Sequence, residues 1–222
     1  MRLITIKWIT LFVCGLTGMQ KAAAQIPVEK EAHHKIVLDN DWVRVLDGHV
    51  PPHDTTPAHI HSANSVVIFL SKTNLGIQVT GQQPVVTPVA PGDIRYVDYG
   101  DKPVTHIVWD EGDSLLRFLV VELKQQKAAA DSCPMGSRLD IKPRLQQKQV
   151  SAYDWVVAAG TQGELPDPSD RRRPSALGAC PSPAQMLIVP ATGKFTFFPP
   201  NTPVRFGNNS QVDMRLILLE IR

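Results

Sequence analysis

The chain has 222 residues, with 23 Lys and Arg against 21 Asp and Glu and a formal net charge of +2. This near balance gives no basic face of the kind that binds nucleic acid. The length allows one large β domain or two small ones.

The first 24 residues have the pattern of a secretory signal peptide. Arg2 and Lys7 lie at the start, residues 8–13 are apolar, and small residues precede Gln25. The apolar stretch is too short to span a bilayer, so we expect cleavage after Ala24 and a periplasmic or secreted protein. Cleavage leaves 20 basic and 21 acidic residues, and no membrane span is predicted in the rest of the chain.

The mature chain is predicted to be all-β. Short segments rich in Val, Ile, Leu and aromatic residues alternate with turn signals such as Pro91-Gly92-Asp93, a spacing typical of sandwiches and barrels. In chain order, the predicted strands of the first half are 41–46, 65–70, 76–79, 85–89, 94–99, 106–109 and 115–123. The run 66–70 is continuously apolar, which predicts a strand deep in the core.

A change of character over residues 124–150 marks a predicted domain boundary. Strand patterns return at 152–159, 185–189, 194–198 and 214–221. We therefore divide the mature chain into a first domain over 25–127, a linker over 128–150 and a second domain over 151–222. The stretch 163–183, rich in Pro, Arg and Ser, is predicted to be a solvated loop, with an anion- or partner-binding loop as the alternative.

Two cysteines remain in the mature chain, Cys133 and Cys180. In an exported protein such a pair can form a disulfide, which would stabilise the fold by about 4 kcal/mol. Each cysteine precedes a proline in a turn-rich segment, which favours a Cys133–Cys180 disulfide over two buried thiols.

The two halves of the mature chain resemble each other. Three segments are echoed in the same order: 41–43 by 154–156, 102–106 by 202–206, and 116–124 by 214–222. We interpret these echoes as a duplication. In this register Phe206 stands where the first half has His106, and the second half has no His-x-His.

The histidines are confined to the first half, where all seven lie between His33 and His106. His59 and His61 are two residues apart, so on a strand both side chains point to the same face. His106 follows the Pro-Gly-Asp turn and is predicted to add a third imidazole from a neighbouring strand. Three such ligands suit one divalent Fe, Mn, Zn, Ni or Cu ion and leave positions open for substrate or water.

These motifs resemble those of the cupin superfamily, which are double-stranded β-helix, or jelly-roll, proteins. His59-Ile60-His61 matches the His-x-His of the first cupin motif. The segment from Pro91 to His106 matches a loose form of the second motif, with Asp110 near the position of its Asn.

The resemblance covers roughly residues 36–124. Together with the internal repeat, it implies two tandem barrels, that is, a bicupin whose second barrel is degenerate. The chain departs from the first motif at its Glu, which would fall at Ser65 or Val66.

The resemblance implies a metal-binding protein that acts on a small molecule, such as a dioxygenase or another oxidoreductase. His53 is the candidate for an acid–base group, with a surface-loop histidine as the alternative reading. The departure at the Glu leaves two other functions open: a non-catalytic periplasmic ligand-binding or interaction module, and a jelly-roll sugar isomerase or epimerase that uses histidine without metal. Cupins pair through strand exchange, so a monomer or a homodimer is expected.

Three further predictions concern single residues. His33 and His34 are expected in an exposed tail. Arg95 either binds a substrate carboxylate or is a solvated residue at a strand edge, and Tyr99 lies either in a barrel pocket or in the core.

Overall fold

The computed structural model describes residues 25–124, 141–165, 185–200 and 202–222. As the sequence predicted, the described chain is built of β-strands, with one 3-10 turn at Val28–Lys30. No helix in these ranges is long and apolar enough to cross a membrane. The strands are, in chain order, β1 (Ile26–Pro27), β2 (His34–Asp39), β3 (Val43–Val50), β4 (His59–His61), β5 (Ser65–Phe69), β6 (Thr73–Val79), β7 (Val85–Val89), β8 (Ile94–Val97), β9 (Val104–Asp110), β10 (Leu116–Leu123), β11 (Ile141–Gln146), β12 (Val150–Val157), β13 (Gln162–Glu164), β14 (Gln185–Pro190), β15 (Thr196–Phe198), β16 (Arg205–Gly207) and β17 (Met214–Ile221).

The first ten strands form two facing five-stranded sheets. The site sheet has the order β1-β4-β9-β6-β7, and the central sheet has the order β2-β3-β10-β5-β8. Their inner faces enclose one apolar core, to which the site sheet contributes Leu75 and Val108 and the central sheet contributes Leu46, Phe69 and Phe118. This is the jelly-roll barrel that the sequence predicted.

The central sheet is covered on both faces. On β10, Phe118 and Val120 point into the barrel, whereas Leu119 and Val121 point the opposite way. There they meet the outer sheet, of order β11-β12-β17-β14-β15, through residues such as Leu219. A strand buried on both faces needs apolar residues at consecutive positions, which accounts for the continuous apolar runs on β5 and β10.

The pairing scheme of the central sheet recurs in the outer sheet. The matching pairs at the ends of the two ladders are Leu116↔Val50 and Leu123↔Val43 for β10 and β3, and Met214↔Val157 and Ile221↔Val150 for β17 and β12. The echo between 116–124 and 214–222 is therefore in register. The echo between 41–43 and 154–156 is wrong. When β12 is aligned on β3, with Val150 on Val43, Trp155 falls on Gly48 and not on Trp42.

Strand β11 lies inside the predicted linker, 128–150, and β12 begins at its last residue. The linker prediction missed β11 because this edge strand buries only Ile141 fully, and a bulge between Pro143 and Leu145 interrupts its alternation. The predicted signal peptide, both cysteines and residues 166–183 of the predicted loop lie outside the described residues.

Candidate metal centre

The three histidines singled out in the sequence lie together inside the first barrel. His59 and His61 are both buried on β4, while Ile60 between them is only half-buried, as the two-residue period of a strand requires. Strand β4 pairs with β9 so that His59 lies opposite His106. The ring centroids are 5.1 Å apart for His59 and His61, 4.7 Å for His59 and His106, and 4.8 Å for His61 and His106.

A fourth histidine, His34, joins this cluster. It is the first residue of β2, is 4% exposed, and has its ring centroid 4.9 Å from that of His59. One ring nitrogen from each of His34, His59 and His61 lies within 4.8 Å of the others, so the three form a group that could hold a metal ion.

The predicted exposed tail at His34 was wrong. The 3-10 turn at Val28–Lys30 folds the chain back, and the His34 N–H donates to the Glu31 carbonyl at 3.0 Å. Strand β2 then pairs with β3, placing His34 opposite Gly48. The one local signal for this turn in the sequence is a Glu three residues before the histidine, which is weak by itself.

Glu31 holds His34 from behind. Its carboxylate is 2% exposed and accepts hydrogen bonds from His34 Nδ1 at 2.5 Å, from His33 Nδ1 at 2.6 Å and from the His33 backbone N–H at 3.0 Å. Burial by itself would raise the pKa of Glu31, but these hydrogen bonds outweigh burial and lower the pKa to about 2. Because Nδ1 of His34 donates here, Nε2 is the ring nitrogen left to bind a metal ion.

His59, His61 and His106 are uncharged at neutral pH. Burial lowers the pKa of His59, and burial together with neighbouring histidines lowers the pKa of His61 to about 2 and that of His106 to about 3. His59 Nδ1 donates to the Pro57 carbonyl at 2.9 Å, which leaves the Nε2 lone pair of His59 facing His106 Nε2 at 3.1 Å. Neutral imidazole is the form that binds metal ions.

The donor set fits a divalent transition metal. The Nδ1 atoms of His61 and His106 are buried with no hydrogen-bond partner among the described residues, which is costly for a ring nitrogen unless another group binds there. Of the two positions expected for the motif's Glu, Ser65 donates its hydroxyl to the Ala63 carbonyl, and Val66 packs between the central and outer sheets. The metal-capable group found in the described chain thus consists of imidazoles, which suit transition-metal ions better than Mg or Ca.

Two other candidates from the sequence lie away from the cluster. The His53 side chain is 65% exposed, and its Nε2 lies 3.1 Å from the Asp113 carboxylate. Asp110 is buried, but its carboxylate accepts from the Thr73 hydroxyl at 2.5 Å and from the Gly112 N–H at 2.9 Å. The hydrogen-bond partners of both side chains in the described chain thus lie outside the four histidines.

A cavity of about 80 Å³ adjoins the histidines between the two sheets of the first barrel. Its wall is mostly apolar, with Val67 and Phe69 among the side chains that the central sheet contributes. Arg95 and Tyr99 are the polar groups that join the histidines in the lining. The Tyr99 ring centroid lies 6.0 Å from that of His61, which decides for the pocket position of Tyr99 over the core.

The corresponding positions of the second half carry apolar residues or glycine. Gly163 lies opposite Phe206 as His59 lies opposite His106, and Ile141 lies opposite Trp155 as His34 lies opposite Gly48. The Phe206 ring packs edge-on against Trp155, with ring centroids 4.7 Å apart. If β13 and β16 correspond to β4 and β9, Phe206 takes the position of His106, and the duplication that this equivalence requires stays a prediction.

No family model matches the sequence, and no curated protein matches it. Among solved structures, YhhW from Escherichia coli aligns with 85% of this chain and 89% of its own, with a TM-score of 0.56 and 9% identity. A cupin 2 conserved barrel domain protein from Leptotrichia buccalis aligns with 85% of this chain and 88% of its own, with a TM-score of 0.49 and 10% identity. A cupin domain from Bordetella pertussis aligns with 46% of this chain and 98% of its own, with a TM-score of 0.39 and 24% identity. The fold of the chain is a double-stranded β-helix, or jelly roll, as the resemblance of its motifs implied.

Proposed function

We propose that the first barrel binds one divalent metal ion through His59, His61 and His106, with His34 as a fourth imidazole, and that a small molecule occupies the adjoining cavity. The observation that carries this proposal is the buried group of ring nitrogens from His34, His59 and His61 within 4.8 Å of one another, with His106 Nε2 3.1 Å from His59 Nε2. Buried neutral imidazoles are the form that binds metal ions, and the free energy of metal binding would stabilise the folded barrel.

The reaction class we propose is oxidation of a small molecule, as in a dioxygenase or related oxidoreductase. A bound ion would supply a Lewis acid and, if it is redox-active as Fe(II) is, a place for O₂ beside the substrate. The apolar wall of the cavity would keep bulk water away from the reacting atoms. Burial raises the pKa of Tyr99, so its hydroxyl stays protonated and is placed to donate a hydrogen bond to a molecule in the cavity. His53, the acid–base candidate from the sequence, lies at the surface instead.

A non-catalytic ligand-binding protein is the second candidate function. It is favoured by the lack of a carboxylate in the metal-capable group of the described chain and by the surface position of His53. In this case the histidine cluster and the cavity would bind a metal and a ligand without turnover.

We further propose that the two halves are tandem barrels of a duplicated unit, in which the second barrel supports the first. The shared pairing registers support this interpretation, as do Gly163, Phe206 and Ile141 at the positions that match His59, His106 and His34. Export remains a proposal that rests on the signal pattern of residues 1–24, and amino-terminal sequencing of the exported protein should then begin at Gln25. Light scattering would decide between the monomer and the homodimer.

The test of the proposed function is the metal content of the mature protein, purified without a His-tag and measured by inductively coupled plasma mass spectrometry. We expect about one equivalent of metal, lost in the His59→Ala/His106→Ala double variant. The matched control is His49→Ala, because His49 lies outside the cluster with its side chain 42% exposed. Wild-type protein that is metal-free and takes up none of Fe, Mn, Zn, Ni or Cu would overturn the proposal.

Metal-loaded protein should then be screened for oxygen consumption with small thiols, phenols and carboxylates. Metal binding without turnover would favour the ligand-binding protein. Isomerisation or epimerisation of a sugar that resists chelation, assayed separately, would instead favour the isomerase that uses histidine without metal.

A further inference from the structure

The cavity beside the histidines has one permanently charged side chain in its wall, that of Arg95. Strand β8 pairs with β5 so that Arg95 lies opposite Val67, whose side chain faces the barrel interior. The guanidinium carbon of Arg95 lies 5.0 Å from the centroid of the Phe69 ring, another wall residue. Arg95 thus lies on the edge strand of the central sheet, and its half-buried side chain forms part of the cavity wall.

Arg95 differs from most other arginines of the described chain because no carboxylate pairs with it. Five other arginines each form an ion pair with a carboxylate: Arg44 with Glu122, Arg117 with Asp47, Arg144 with Asp154, Arg205 with Glu164 and Arg222 with Glu220. The Phe69 face attracts the cation but leaves the hydrogen-bonding edges of the guanidinium free. An arginine held in an apolar wall without a counter-ion is a receptor for an anion, and its planar fork matches a carboxylate.

We propose that the cavity binds a short-chain monocarboxylate whose carboxylate pairs with Arg95 and whose aliphatic body lies against Val67, Phe69 and Val97. The charge of Arg95 calls for one anionic group, and the apolar lining calls for a hydrocarbon body. An engineered cavity of about 150 Å³ binds benzene, so about 80 Å³ suits a body of roughly three to four carbon atoms. This inference deepens the proposed function, since it names the substrate class for the same site.

The carboxylate of the bound molecule could pair with the metal ion instead of Arg95, because carboxylates also bind metal ions directly. The metal-free protein separates the two, since binding there cannot use the metal. In the metal-free protein the preference for an anion should depend on Arg95 alone.

The experiment is calorimetric titration of the full-length mature protein, metal-free and zinc-loaded, with isovalerate and with its neutral isostere isovaleramide. Inorganic phosphate serves as an anion without an apolar body. In metal-free wild-type protein we expect isovalerate to bind at least about tenfold more tightly than isovaleramide, and phosphate to bind more weakly than isovalerate. Arg95→Gln should abolish the preference for isovalerate, and Arg95→Lys should retain part of it.

The matched control is Arg144→Gln, which removes an arginine of the outer sheet and should leave the preference unchanged. Circular dichroism and thermal unfolding show whether each variant folds, and the comparison of the acid with its amide tests the proposal on wild-type protein in any case. Equal affinity of wild type for the acid and the amide, or an equal preference in Arg95→Gln, would overturn the inference.

The two proposals fail in distinguishable ways. If metal is bound but the acid preference persists without Arg95, the carboxylate inference fails and the metal site stands. If no metal is taken up but the preference depends on Arg95, the metal site fails and the carboxylate site stands.

Discussion

Replacement of Glu31 by glutamine tests how the protein holds His34. The Glu31 carboxylate accepts hydrogen bonds from Nδ1 of both His33 and His34. Glutamine offers one acceptor oxygen and one NH₂ donor group in the same space. Either one imidazole loses its acceptor, or His34 changes to the tautomer whose Nε2 carries the proton and has no lone pair for a metal.

The magnitude follows from the pKa of Glu31, which folding lowers from 4.5 to about 2. A carboxyl group with a lowered pKa stabilises the fold above its unfolded-state pKa, and this stabilisation is lost as the pH falls toward the folded-state value. At about 1.4 kcal/mol per pKa unit, the ionised carboxylate contributes about 3 kcal/mol at neutral pH. We expect Glu31→Gln to lower the free energy of unfolding by about this amount at pH 7, and the deficit to shrink between pH 5 and pH 3.

The assay is urea denaturation of the metal-free protein, followed by tryptophan fluorescence, together with zinc titration of the folded protein. Loss of the group that orients a ligand should weaken zinc binding by about 10- to 100-fold. Glu29→Gln is the control, because Glu29 lies in the same 3-10 turn but contacts Arg44 at 3.7 Å, away from the histidines. An unfolding free energy within about 0.5 kcal/mol of wild type, with unchanged zinc affinity, would refute the reasoning.

Three other substitutions test the packing and the charges. Burial raises the pKa of Glu220 in the folded protein. A carboxyl group of this kind stabilises the fold when the pH is below its unfolded-state pKa, and this stabilisation is lost as the pH rises through its folded-state pKa. Glu220→Gln should therefore gain stability relative to wild type as the pH rises from 4 to 8 in urea denaturation, and a difference that does not change with pH would contradict this. Leu219→Ala, between the central and outer sheets, should lower the free energy of unfolding by about 2–5 kcal/mol, and a loss below about 1 kcal/mol would contradict close packing there. In Gly48→Ala the new Cβ would lie 2.4 Å from the ring of Phe118, which packs against His34 of the histidine cluster. The free energy of unfolding should therefore fall by about 1–3 kcal/mol, and zinc affinity should fall with it. An unchanged affinity in zinc titration would count against this contact.

The sequence predicted the parts of the site that depend on local strand geometry. His59 and His61 share a face because they are two residues apart on β4, and antiparallel pairing of β4 with β9 brings His106 opposite His59. The all-β fold class followed from many short apolar segments between turns, and the fold of the solved structures confirms it.

The parts that the sequence did not predict depend on long-range pairing. His34 is buried because a turn folds β2 back onto β3 opposite Gly48, and the residues around it look like those of an exposed tail. Arg95 lines the cavity because β8 pairs with β5, which no spacing within 94–99 reveals. Strand β11 is exposed along most of its length, so its composition resembles that of a linker.

The different interiors of the two halves explain why a chain with one histidine cluster keeps both sets of strands. The first barrel gives up apolar packing at four histidines and a cavity, whereas at the matching positions the second half packs apolar side chains such as Ile141 and Phe206. The two halves share a second core between the central and outer sheets, where Val121 and Leu219 are both fully buried. Without the outer sheet, this apolar face of the central sheet would be exposed to water, at a cost of about 1.5–3 kcal/mol for each large side chain. Because the central sheet carries apolar contacts on its far face, the near face can hold polar side chains around a cavity without loss of the fold.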